Sequence, residues 1–117
     1  MPLIRLEWHE HPAPPQHEMR QKSVLDSGGS VVGTVANLYV ESNSGQLRFV
    51  DVVTSDFLGL ERKHHLVPME ALSEEDPGSI TLGTEQETVQ SAPEFSNPQV
   101  VPDEEYQRTI REHYGYS

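Results

Sequence analysis

Val31-Val32-Gly33-Thr34-Val35-Ala36-Asn37-Leu38-Tyr39-Val40, then Asn43-Ser44-Gly45, then Leu47-Arg48-Phe49-Val50-Asp51-Val52-Val53: this stretch decides the fold of the chain. Both long runs are rich in β-branched and aromatic residues, which fit a pleated, half-buried surface. Two such runs joined by a short segment containing Asn and Gly read as a β-hairpin. Gly33 inside the first run marks a bulge or a close backbone approach. The apolar set Val32, Val35, Leu38 and Val40 breaks strict period two, as a bulge would make it do. In the second run Leu47, Phe49, Asp51 and Val53 share one face and Arg48, Val50 and Val52 the other.

Outward from this hairpin the pattern stays β-like. Phe57-Leu58-Gly59-Leu60 is a third apolar run, and Leu66-Val67-Pro68-Met69-Glu70-Ala71-Leu72 a fourth. Pro68 should end or bend its strand because it has no N–H to donate, and residues 69–72 should resume it. Asp76-Pro77-Gly78 reads as a turn, and Ser79-Ile80-Thr81-Leu82 alternates as a short strand. Upstream, residues 20–25 supply another strand before the loop Asp26-Ser27-Gly28-Gly29-Ser30. Short strands at this spacing, with no helical pattern between them, point to a mainly β, small antiparallel barrel. Residues 85–89 are a further candidate edge strand.

The flanks differ from this centre. Residues 1–19 form an extended arm, since Pro12, Pro14 and Pro15 exclude a helix or central strand there. The arm should order only where Leu3, Leu6 or Trp8 finds a surface, and the core should tolerate its loss. The barrel spans residues 20–90, and residues 91–102, with three prolines, are an extended linker. Residues 103–117 are a helix and tail, with acids opening the helix, basic residues later and Gly115 as a stop. Tyr106, Ile110, His113 and Tyr114 fall on one face of it.

Composition bounds the function. The chain has 117 residues, 34% of them hydrophobic, enough for one modest core with extended flanks. No run reaches the ~18 apolar residues of a membrane span, and Met1-Pro2-Leu3-Ile4-Arg5 lacks the regions of a signal peptide. The absence of cysteine removes disulfides, thiol catalysis and zinc-thiolate sites, and a cytoplasmic setting is expected. Net charge is −11, and no Lys or Arg stands between Lys63 and Arg108. Such a surface repels phosphate backbones, so nucleic acid is not an expected partner.

These runs resemble the PRC-barrel family, the small β-barrel of the H subunit of the photosynthetic reaction centre. The resemblance is carried by Val32-Gly33-Thr34-Val35 up to Val40, by Gly45-Gln46-Leu47-Arg48-Phe49-Val50 and by Phe57-Leu58-Gly59-Leu60. Leu66-Val67-Pro68 and Ile80-Thr81-Leu82 complete it, across roughly residues 20–90. Ala92-Pro93-Glu94-Phe95 and residues 106–116 are similar to the ending of stand-alone or stress-associated bacterial members. The resemblance implies a barrel that works as an interaction module and transfers no catalytic residue. One branch of the family docks on a photosynthetic membrane complex and another forms half of a ribosome maturation factor. This sequence carries neither the transmembrane helix of the first nor the preceding barrel of the second.

The residues themselves agree with a non-enzymatic role. There is no G-x-S-x-G elbow, and Gly28-Gly29 is too short for a phosphate cradle. Asp51 is expected to be a structural carboxylate paired with Arg48 or a loop amide. His64 and His65, adjacent on a strand, face opposite sides and do not form a joint site. His9, His11 and His17 are the metal candidates, but ordering a proline-broken arm around a metal costs backbone entropy. No cofactor is expected. Leu47, Phe49, Tyr106, Ile110 and Tyr114 are the candidate interaction residues, with packing of the helical stripe on its own barrel as the alternative use of that face. The expected function is a non-enzymatic adaptor or accessory, homodimeric and possessing a protein partner; the alternative is a small-ligand or metal-binding protein using the histidine arm or a barrel mouth.

Overall fold

A computed structural model of the chain describes residues 3–7, 10, 20–55, 62–76, 79–84, 86–95, 97 and 100–116. The two long runs form the expected hairpin, β3 (Val31–Glu41) with β4 (Leu47–Ser55). Gly45 takes a positive φ of 72° in the connection, where its N–H donates to the Glu41 carbonyl at 2.8 Å. Around this hairpin lie β1 (Leu3–Arg5), β2 (Ser23–Leu25), β5 (Arg62–Pro68), β6 (Leu72–Asp76) and β7 (Ser79–Leu82). They make one seven-stranded sheet in the order β5-β4-β3-β2-β7-β6, with β1 also paired to β3, and it curls into a half-barrel. Pairings are antiparallel except for β2 with β7, which run parallel through Val24↔Ile80. The third apolar run, Phe57-Leu58-Gly59-Leu60, lies outside the described residues.

The broken period of β3 has two causes. Val35 pairs with Val52 and Asn37 with Asp51, so Ala36 is an extra residue on β3, and a second shift falls between Tyr39 and Val40. The bulge swings Asn37 onto the face of Asp51, where simple alternation would put it on the other side. Gly33 flanks a further shift, against β2, where Val24 pairs with Gly33 and Leu25 with Val31, and it also lies at a close approach: a β-carbon there would sit 2.2 Å from the Val53 carbonyl oxygen. Only glycine fits that contact.

Two local expectations change. Residues 69–72 do not resume a strand at once: Met69–Ala71 is a turn of 3-10 helix, and β6 begins at Leu72. Pro68, at φ −70°, cannot donate to a ladder, so pairing to β4 stops there and the chain turns while burying Ala71. Residues 85–89 do not add an edge strand; α1 (Gln86–Ser91) is a short helix. Val89 and Ala92 are both buried at a spacing of three, the period of a helix rather than of a strand. The arm orders, as expected, where Leu3 and Leu6 find a surface: β1 joins β3, and the two leucines are only 8% and 6% exposed.

The C-terminal helix α2 (Glu104–His113) forms as its caps dictate. The Asp103 carboxylate accepts from the Tyr106 N–H at 2.8 Å, satisfying one orphan donor of the first turn. Gly115, at φ 87°, closes the other end, with the Tyr116 N–H on the Arg111 carbonyl. Ten residues make a marginal helix in water, so its apolar face must supply the stability. Ile110 is fully buried and Tyr114 nearly so. No described helix is long and apolar enough to cross a membrane.

Two stability measurements check this architecture. Gly33→Ala should lower the free energy of unfolding by about 1–3 kcal/mol, since the added carbon forces β3 and β4 apart. Ile110→Ala should remove about 2–4 kcal/mol, as for a fully buried side chain. In urea melts both midpoints fall, whereas exposed Arg108→Ala stays within about 0.5 kcal/mol of the parent.

Candidate functional site

The two most buried acids of the sheet are Asp51 and Glu41, and each has found its own partners. Arg48 pairs with Glu41, through Nε at 2.9 Å and Nη2 at 2.6 Å, and not with Asp51. Residues three apart on a strand face opposite sides, which puts Asp51 out of reach of Arg48. The Ser44 hydroxyl donates to the other Glu41 oxygen at 2.7 Å, and with Arg48 it holds the Glu41 carboxyl below the usual range.

Asp51, with no exposed surface, sits at the centre of a longer chain of contacts. Its Oδ2 accepts from the Asn37 side-chain amide at 2.8 Å, and His64 Nδ1 lies 3.0 and 2.8 Å from its two oxygens. Asn37 Oδ1 in turn accepts from Arg5 Nε at 3.1 Å and Nη2 at 2.8 Å. Four strands are thus linked side chain to side chain: β1 by Arg5, β3 by Asn37, β4 by Asp51 and β5 by His64. The register explains the convergence, because Asn37 stands opposite Asp51 and His64 opposite Val53, on the same face. Asp51 was legible as an acid in an apolar run; the bonds from Asn37 and Arg5 were missed. Asn37 did give a signal, being an amide in the middle of a strongly β-prone run.

Aromatic rings close this face. Tyr39, opposite Phe49, meets Phe95 edge-on with centroids 5.7 Å apart. Phe95 stacks on Tyr106 at 5.8 Å, and the Tyr106 hydroxyl donates to the Pro93 carbonyl at 2.8 Å. Burial first, then the charges of Glu94 and Asp51, push the Tyr106 hydroxyl up to about 12. Burial also raises Tyr39, helped by Asp51 and opposed by Arg5. The tail reaches the sheet edge as well, where the Phe95 N–H donates to the His64 carbonyl at 3.0 Å.

Of the candidate interaction residues, Leu47, Phe49, Ile110 and Tyr114 are buried within the chain's own core, and Tyr106 is partly buried against it. His9, His11 and His17 lie outside the described residues. Among the described residues no three His, Cys, Asp or Glu side chains converge as a metal set would require. His64 and His65 face opposite sides as expected, since His64 stands opposite Val53 and His65 opposite Val52. His64, held at Nδ1 by a carboxylate and 31% exposed, has the orientation of a base positioned for proton transfer. No described hydroxyl is bonded to its ring. A depression of about 260 Å3 lies beside α2, lined by Glu104, Gln107, Arg108, Arg111 and Tyr116, with both signs of charge.

A curled, mainly β sheet clad by a C-terminal helix, with its polar groups spent on internal ties, defines a small barrel-type β module. Comparison with known families matches residues 15–82 to the PRC-barrel domain, and the chain belongs to that family. No curated protein matches the chain.

His65 makes the fold pH-sensitive in a definite direction. It is 4% exposed, its Nδ1 has no hydrogen-bond partner among the described residues, and burial lowers its pKa from the ordinary 6.5. The folded chain therefore holds fewer protons on His65 than the unfolded chain does. Its contribution is fully present above about 6.5 and is lost as pH falls below that value. Thermal melts should show the parent losing more stability than His65→Met between pH 7.5 and pH 5.5, by differential scanning fluorimetry on the order of a few degrees. Parallel curves would count against this assignment.

Proposed function

We propose that the chain is a non-enzymatic protein-interaction module, an adaptor or accessory that works as a homodimer and presents its surface to a further protein. The observation that carries this reading is how the sheet ends. β6 pairs only with β7 among the described residues, which leaves a row of backbone N–H and C=O groups on its outer side. An open strand edge is a template for another chain. The net charge of −11 favours a cationic protein partner over polyanions.

Exposed apolar side chains on the strands support the dimer. Val31 is 64% exposed and Ile4 40%. The polar network supports a contact role over turnover, because Asp51 and Asn37 are engaged by other strands of the same domain. The resemblance of residues 106–116 to the ending of stand-alone or stress-associated members is in keeping with an accessory role, and the lack of cysteine fits a cytoplasmic setting.

Sedimentation equilibrium at micromolar concentration should give about twice the 13.2 kDa chain mass. A strictly monomeric species counts against the dimer. A broad hydrolase and oxidoreductase screen should give no turnover that depends on the network. Robust activity lost in both Asp51→Asn and His64→Gln would sink the non-enzymatic reading.

A further inference from the structure

β1 is held in a way that specifies what its site accepts. The strand has three residues and among the described residues pairs only with β3, through Leu3↔Glu41, Ile4↔Val40 and Arg5↔Tyr39. The ladder runs on to Leu6, whose N–H donates to the Leu38 carbonyl at 2.9 Å. Leu3 and Leu6 are buried at the two ends of the segment. Between them the Arg5 guanidinium makes its fork onto Asn37 Oδ1 and also bonds to the Tyr39 side chain. Behind Asn37 stands the buried Asp51 carboxylate, a fixed negative group that suits a cation at this position. β3 therefore offers backbone pairing at residues 38–41, two apolar seats and one guanidinium seat.

Beyond Leu6 the chain is tied once more, where the Arg20 guanidinium donates to the Glu7 and Glu10 carbonyls. β2 takes a separate length of the same edge of β3, at residues 31–34, and β1 reaches it through the intervening sequence that contains Pro12, Pro14 and Pro15. A segment joined by such a tether competes with an effective concentration of roughly millimolar, not irreversibly. An outside segment with the same pattern meets the same seats.

Resting on the interaction-module reading, we infer that residues 38–41 of β3 form a peptide-docking slot, filled in cis by residues 3–6, that exchanges this segment for an extended arginine-bearing segment of a partner protein. The pattern it selects is apolar, any residue, arginine, apolar, as Leu3-Ile4-Arg5-Leu6 itself shows. The partner's arginine also suits the chain's net charge of −11. β-Strand addition supplies affinity through the main chain, and the guanidinium seat supplies selectivity.

The test uses the whole chain and a fluorescent peptide carrying residues 3–7, followed by anisotropy. The parent should bind at about the tether's effective concentration, near millimolar, because its own strand competes. The double variant Leu3→Asp, Leu6→Asp, whose own strand is disfavoured, should bind at least about ten-fold more tightly, and a peptide with Gln in place of the arginine should lose about ten-fold. Equal affinities for parent and variant, or no binding to a variant that still melts cooperatively, overturn the slot. If the variant does not fold, a protease site placed within residues 11–17 of the full chain allows β1 to be nicked free of its tether. Exchange of labelled peptide into the nicked chain then supports the slot, and exclusion of it overturns it. A dimer that dissociates in the same double variant overturns the assignment to a different protein, since the occupant is then a second copy's segment. A chain that refuses the peptide yet sediments as a dimer rejects the slot while leaving the module reading intact.

Discussion

A carboxylate with no access to water is expensive unless every lone pair is answered, and Asp51 is where this domain meets that constraint. Asn37 answers one oxygen and His64 both, while Arg5 fixes the Asn37 amide from the far side. Removing one member of such a chain leaves the others buried without partners, which costs more than the bond itself. The consequence is structural specificity. β1, β3, β4 and β5 must stand in one register for the network to close, and the bulge at Ala36 exists in the one place that brings Asn37 round to Asp51. A slip of one residue would turn Asp51 towards the wrong face and bury it unpaired.

The apolar cladding completes the same arrangement from outside. Both faces of β4 are apolar, with Val50 and Val52 on one side and Phe49 on the other, so a single sheet cannot cover itself. Phe95, Tyr106, Ile110 and Tyr114 supply the missing layer. The tail also satisfies backbone on the β5 edge through the Phe95 to His64 bond. One edge of the sheet is thus partly closed by the chain itself, while β6 has no further partner among the described residues.

The hairpin, the close approach at Gly33, the short β7 and the capped final helix could all be read from the sequence, because each depends on local signals: β-branched runs, turn residues, a helical stripe. What could not be read depends on contacts distant along the chain. Residues 86–91 contain a Thr-Val pair suited to a strand, yet they form a helix that buries Val89. The partner of Asp51 could not be found by inspecting its neighbours, since Arg48 faces away and the true partners come from residues 37 and 64. Leu3 and Leu6 belonged to a proline-interrupted arm, and nothing local revealed that β3 has room for a further strand beside β2.

The parallel pairing of β2 with β7 governs the order in which the molecule can be assembled. Hairpins such as β3–β4 close short loops and form quickly, whereas Val24 must wait for Ile80, at the far end of the barrel sequence. During synthesis the ribosome releases β2 through β5 before β7 exists, so the first strand of the barrel emerges without the neighbour that completes its pairing. Until then its unpaired side is exposed to any other chain in the same state. The step that seals the sheet is therefore also the step that ends the nascent chain's susceptibility to mispairing, and it comes late by virtue of topology alone.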